Sequence, residues 1–109
     1  LLLSNSGKTR EILELVDLTH ALYPGIPVVL ITGNPDGELV GQSEVVLFTG
    51  QPEEVCPLGL TPTTSSTAMA VMGDVLVVLL MKRIRFTEED YARRHHGGYL
   101  GQKSREKRK

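Results

Sequence analysis

Ser4, Ser6 and Thr9 set three hydroxyls around Gly7-Lys8. Each can donate a hydrogen bond to a phosphate oxygen. They follow Leu1-Leu2-Leu3, which reads as the end of a buried strand, and they lead into a helical pattern. A strand that passes through a short hydroxyl-rich loop into a helix N-terminus turns backbone N–H groups and the positive end of the helix dipole toward an anion. Gly7-Lys8-Thr9 also matches the tail of a nucleotide-binding P-loop. That motif needs a glycine five residues before Gly7, and Leu2 stands there instead. The loop is too short to encircle a triphosphate. Taken alone, the stretch also reads as a Ser-capped helix after a strand, with no ligand.

The elements that must position this loop follow from hydrophobic periodicity. From Thr9 to Leu22, Ile12, Leu15, Val16, Thr19 and Leu22 share a stripe that Leu13 and Leu18 widen. Glu11, Glu14 and Asp17 fall largely outside it, as in an amphipathic helix. Pro24-Gly25 ends that helix. Val28-Val29-Leu30-Ile31 is a continuous apolar run, the pattern of a strand buried on both faces, and Val45-Val46-Leu47-Phe48 is another. Thr32 to Gly37 reads as a turn and Glu38 to Ser43 as a short helix. The order strand–helix–strand–helix–strand predicts a parallel α/β sheet with helices on both faces. Ligands in such sheets lie beyond the carboxyl ends of the strands. Three loops should therefore meet there: Ser4 to Gly7, Thr32 to Asn34, and Thr49 to Glu54. Cys56 to Thr67 reads as a long loop of functional type. Ala68 to Lys82 reads as a helix apolar on every side, to be buried on both faces. Thr87, followed by Glu88-Glu89-Asp90, caps a last short helix to Arg94, which His95-His96-Gly97-Gly98 ends.

Composition narrows the classes. At 109 residues the chain holds at most one domain, and its start inside an apolar run predicts a piece of a longer protein. Net charge is −1, with five basic residues gathered in the tail Lys103 to Lys109. Such a tail reads as a solvated terminus. With no Trp, three Tyr and two Phe there is little stacking platform for nucleic acid, so no nucleic-acid partner is expected. The single cysteine, Cys56, excludes an internal disulfide and suits a reducing cytoplasm. Val75 to Met81, the most apolar stretch, falls short of the roughly 20 residues that span a bilayer, so no membrane association is expected.

Several separated motifs together resemble one family. Ser4-Asn5-Ser6-Gly7, Ile31-Thr32-Gly33-Asn34-Pro35, Glu54-Val55-Cys56-Pro57-Leu58-Gly59-Leu60-Thr61-Pro62-Thr63, Gly73-Asp74, Phe86 to Asp90 and His95 to Gly101 are similar to the later part of a sugar isomerase (SIS) domain of the arabinose-5-phosphate isomerase family. The Cys-Pro-Leu-Gly-Leu and His-x-Gly-Gly-x-Leu-Gly blocks are its specific parts. The resemblance covers residues 1–101, leaving 102–109 as a basic tail. It implies a three-layer α/β/α fold with a parallel sheet, of flavodoxin or Rossmann-like type and lacking its N-terminal part, usually built into a homotetramer. It implies the interconversion of ribulose 5-phosphate and arabinose 5-phosphate, which feeds Kdo synthesis for lipopolysaccharide or capsule. A SIS domain that binds a sugar phosphate without catalysis, and regulates a partner, is the alternative.

By the same resemblance Ser4, Ser6 and Thr9 hold the substrate phosphate, and Glu11, Glu54 and His95 are the catalytic residues, with no cofactor. Aldose–ketose isomerisation moves a proton between adjacent carbons through an enediol and needs a base and an acid, which a carboxylate and a histidine can supply without metal. On their own, Glu11 and Glu54 also read as solvated carboxylates, and His95 as a complement to a helix C-terminus. Adjacent histidines point in different directions and no Cys or Asp has ligand spacing, so no metal is expected. The chain departs from the family in Lys8 for a glutamate, His96 for a proline and Tyr99 for a small residue. The family's first strand, its preceding helices with a lysine and a histidine, and its CBS modules have no counterpart in this sequence.

Overall fold

The computed structural model describes residues 1–95 and 97–106. Its sheet has three parallel strands in the order β1 (Leu2–Leu3), β2 (Val29–Thr32) and β3 (Val45–Phe48). Leu3 pairs with Ile31, and Ile31 with Leu47, so the three strands end at one level. The predicted α/β class and the parallel order are observed. Helix α1 (Arg10–Leu22) connects β1 to β2, and a 3₁₀ helix (Glu38–Gln42) connects β2 to β3. The predicted second helix is thus a tighter, shorter 3₁₀ turn.

Alternation along β2 sorts its side chains between the faces. Leu30 packs with Val16 of α1, Leu39 of the 3₁₀ helix and Val28 in one buried cluster, flanked by Leu2, Ile12, Leu13 and Val46. Ile31, on the opposite face, is fully buried as well. That is why the run Val28–Ile31 carries no polar alternation. The edge strands are less buried: Leu3, Val45 and Phe48 are each nearly half exposed. Glu44 fastens the start of β3, its carboxylate accepting from Val28 N–H while its own N–H donates to the Val28 carbonyl.

The chain divides into two compact units, Leu1–Gly73 and a second that begins at Asp74. Helix α2 (Thr64–Arg83) runs across the division and starts a turn earlier than the sequence predicts. Its expected burial on every side is not observed. Val71, Val75, Val77, Val78, Leu79 and Leu80 are all about half exposed, and Ser65 is its single buried residue. Apolar composition alone does not provide cover, and among the described residues little covers the length of this helix. In the second unit, α3 (Glu88–Arg94) opens on a capping box: Thr87 Oγ1 accepts from Asp90 N–H, and Asp90 accepts from Thr87 N–H. A further helix, α4 (Tyr99–Glu106), occupies the start of the expected solvated tail. Lys107, Arg108 and Lys109 of that tail, and His96, lie outside the described residues.

Candidate functional site

The loop after β1 carries the predicted phosphate grip. Ser4 is buried, and its hydroxyl sits 3.0 Å from that of Thr9. Thr9 is the N-cap residue of α1, with an extended backbone and no hydrogen bond from its side chain to the helix. Its hydroxyl is therefore turned to Ser4 rather than spent on capping. Ser6 is exposed, its hydroxyl accepting from Lys8 N–H at 3.2 Å. Gly7 turns the chain with φ of 64°, a conformation glycine adopts at low cost.

The second loop, after β2, presses against the first. Thr32 Oγ1 and Gly33 N–H both donate to the Asn5 carbonyl, at 3.2 Å each. Asn34 Nδ2 donates to the Ser6 carbonyl at 2.9 Å, and Leu39 N–H to the Gly7 carbonyl at 3.0 Å. The third loop, after β3, is joined by Thr49 N–H to the Thr32 carbonyl at 3.0 Å. Together they border an open cleft of about 580 Å³ lined by Asn5, Ser6, Asn34, Gln51, Glu53 and Glu54 among others. The three loops expected at the carboxyl edge of the sheet do share one cavity.

Glu54 is held by the residues that open α2. Its Oε2 accepts from Thr63 Oγ1 at 2.6 Å, from Thr63 N–H at 2.7 Å and from Ser65 N–H at 3.4 Å. Ser65 Oγ is buried without a hydrogen bond of ordinary geometry, so it acts on the carboxylate as a nearby dipole. The Ser65 and Thr63 side chains, with the two N–H groups, lower the Glu54 carboxyl from 4.5 to about 2. Cys56 lies in the same loop, its sulfur accepting from Thr61 N–H at 3.1 Å and Leu60 N–H at 3.2 Å. These contacts, that from Thr61 foremost, lower its thiol pKa.

The remaining sequence candidates belong to other elements. Glu11 is exposed in the first turn of α1 and does not line the cleft. His95 belongs to the second unit, at the C-cap of α3. Its ring stacks on Tyr91 with centroids 4.1 Å apart, and Nδ1 lies 3.2 Å from the Tyr91 carbonyl. Thr63 and Ser65, the partners of Glu54, carried no role in the sequence reading. The signal available for them was a carboxylate nine residues ahead of a helix-opening Thr-Thr-Ser, which is weak without the fold.

Hydroxyls at a helix N-terminus, beside a cleft with a carboxylate on its wall, at the carboxyl edge of a parallel sheet, define an α/β domain with a candidate anion site. The comparisons agree. A crystal structure from Bacteroides fragilis NCTC 9343, described as a phosphosugar isomerase involved in capsule formation, superposes with a TM-score of 0.86 at 62% identity, over 90% of this chain and 51% of that one. The chain is thus similar to phosphosugar isomerases of the sugar isomerase (SIS) type. Its relatives by sequence are arabinose 5-phosphate isomerases KdsD: that of Salmonella typhi is 46% identical over 101 residues, and that of Pseudomonas aeruginosa 45% over 103 residues. These matches take in 93% and 94% of this chain but 30% and 31% of the relatives, so the chain spans under a third of their length. No protein-family model matches the chain.

Proposed function

We propose that the protein is a sugar-phosphate aldose–ketose isomerase that interconverts D-ribulose 5-phosphate and D-arabinose 5-phosphate, supplying Kdo synthesis for lipopolysaccharide or capsule. The observation that carries this is the shared cleft: Ser6 of the phosphate grip and Glu54 line one cavity, in a chain closely similar to proteins of that name. The phosphate would rest on Ser4, Ser6, Thr9 and the N-terminus of α1, with the sugar chain running toward Glu54. From the ketose, a base takes a proton from C1 while an acid gives one to the C2 carbonyl oxygen, forming the 1,2-enediol. A proton then returns to C2 as the C1 hydroxyl loses its own, leaving the aldehyde. Glu54, Glu11 and His95 are the proposed acid–base groups. Glu54 has Oε1 left for the substrate and stays ionised at neutral pH.

We further propose a homotetramer working in the cytoplasm. The exposed apolar length of α2 and the unpaired Cys56 favour these two assignments. The test of the reaction is to incubate the purified intact protein with ribulose 5-phosphate and resolve the pentose phosphates. Arabinose 5-phosphate should form, and binding without any aldose product would sink the enzyme reading. One observation favours the alternative, a SIS domain that senses a sugar phosphate and regulates a partner. A carboxyl held at about 2 is a weak base. Sugar-phosphate binding indifferent to Glu54→Gln and His95→Ala, in a protein without turnover, would establish it.

A further inference from the structure

The backbone of the phosphate grip is arranged so that its carbonyl oxygens are all occupied from the protein side. The Ser4 carbonyl accepts from Gly7 N–H, that of Asn5 from Gly33 N–H and Thr32 Oγ1, that of Ser6 from Asn34 Nδ2, and that of Gly7 from Leu39 N–H. Among the described residues no acceptor takes the N–H groups of Asn5 or Ser6. A carbonyl lone pair facing a phosphate would repel it, and an N–H facing it would bind it. Turning every carbonyl of a four-residue loop inward therefore leaves the outward side to donors.

Two residues of the second loop carry most of this arrangement. Asn34 is used at both ends of its amide: Oδ1 accepts from Asp36 N–H at 3.0 Å while Nδ2 reaches the Ser6 carbonyl. Its own N–H donates to Thr32 Oγ1 at 3.2 Å, which fixes the loop from which the amide projects. Gly37 lies directly against the grip. A methyl group there would come within 2.7 Å of Gly7 Cα and 3.0 Å of the Ser6 carbonyl oxygen. Its φ of −71° is one that alanine adopts freely, so contact alone forbids the methyl. We propose that Asn34 and Gly37 are positioning residues: the loop after β2 clamps the Ser4–Gly7 loop from behind and holds its N–H groups aimed at the phosphate.

The proposal rests on the phosphate reading of the Ser4–Thr9 loop, and its test separates the two. Inorganic phosphate and ribulose 5-phosphate are titrated into the intact wild-type protein and into Asn34→Ala, Gly37→Ala and Gly41→Ala. Gly41 has open space around it, so that variant is the control. Backbone amide shifts and the steady-state constants are read together. The Asn5 and Ser6 amides of the wild type should move on adding phosphate. Asn34→Ala should weaken phosphate binding and raise KM by about tenfold, the effect of about one hydrogen bond lost, with kcat within about twofold. Gly37→Ala should weaken binding further, and Gly41→Ala should match the wild type. A merely structural role would lower the folded fraction and leave the affinity of the folded protein unchanged. Unchanged phosphate affinity in both folded variants would overturn the clamp. A wild type that binds neither phosphate nor the sugar phosphate would overturn the phosphate reading, and the clamp with it.

Discussion

Glu54 fixes one of its two carboxylate oxygens in a setting of three donors, and the consequence for acidity can be tested at that residue. Thr63→Val removes the 2.6 Å hydroxyl contact and leaves the Thr63 N–H at 2.7 Å. The Glu54 carboxyl, now at about 2, should move up toward its ordinary range, as followed by carboxyl carbon shifts against pH. The sign for stability follows from linkage. A carboxyl lowered on folding adds stability above its unfolded pKa, and this is lost as pH falls from about 4.5 through about 2. Protection of the Thr63 amide, its exchange measured against the unstructured rate at the same pH, should fall as pH drops through that window in the wild type, and at higher pH in Thr63→Val. Protection indifferent to pH there would mean that Glu54 does not hold the loop. Glu54→Gln separates anchor from base, because an amide oxygen still accepts from Thr63. If Glu54 is the base, kcat should fall by two orders of magnitude or more with the loop intact. Glu54 itself was legible by resemblance, whereas its partners were not. A hydrogen bond across nine residues of irregular loop leaves no periodicity to read.

Helix ends in this chain show which local signals survive folding and which mislead. Thr87 with Asp90 three residues on reads as an N-cap, and the box is present as written. The start of α2 misleads in the opposite sense. Thr64, Ser65 and Thr67 favour turns on their own, but Glu54 accepts the N–H groups of Thr63 and Ser65 and draws them into the helix. Helix α4 is unexpected because Gly98 and Gly101 disfavour a helix, and Gly101 is nonetheless buried within it. The end of α2 is a Schellman closure, with Phe86 N–H on the Met81 carbonyl and Arg85 N–H on that of Lys82. The residue at its left-handed position is Arg85, with φ of 53°, where glycine is usual. Arg85→Gly should therefore stabilise the protein by about 1 kcal/mol, the cost of that conformation for a residue with a Cβ. Chemical denaturation would read this as a higher midpoint at constant slope. A lower midpoint would show that the Arg85 side chain contributes more than its backbone strain removes.

At the scale of the molecule, the sheet and the site were legible because burial on both faces of β2 forces an unbroken apolar run, while the cover of α2 was not. The same apolar composition serves a core helix, a protein interface and a membrane span. Thr64–Arg83 is 20 residues long with a mean hydropathy of 1.7 over its most apolar window, and 6% of that window is buried, so by length and composition alone it would cross a bilayer. Two features weigh against a lipid setting. Asp74 sits mid-helix, where a charge in hydrocarbon is costly, and Ser65 at the helix start is tied to the Glu54 cleft. Cover by protein is the better account, and the homotetramer proposed above supplies it. Val71, Val75 and Val78 lie on one stripe at spacings of four and three residues, each exposed by 48% to 57%. Val71→Lys with Val78→Lys should then break the assembly without touching the phosphate cleft, since neither residue lines it. Light scattering of the intact protein should show the wild type as a tetramer and the double variant as smaller species that still bind inorganic phosphate. A double variant of unchanged mass would rule out α2 as the assembly surface. Partition of the wild type into the membrane fraction, released only by detergent, would return the helix to the bilayer.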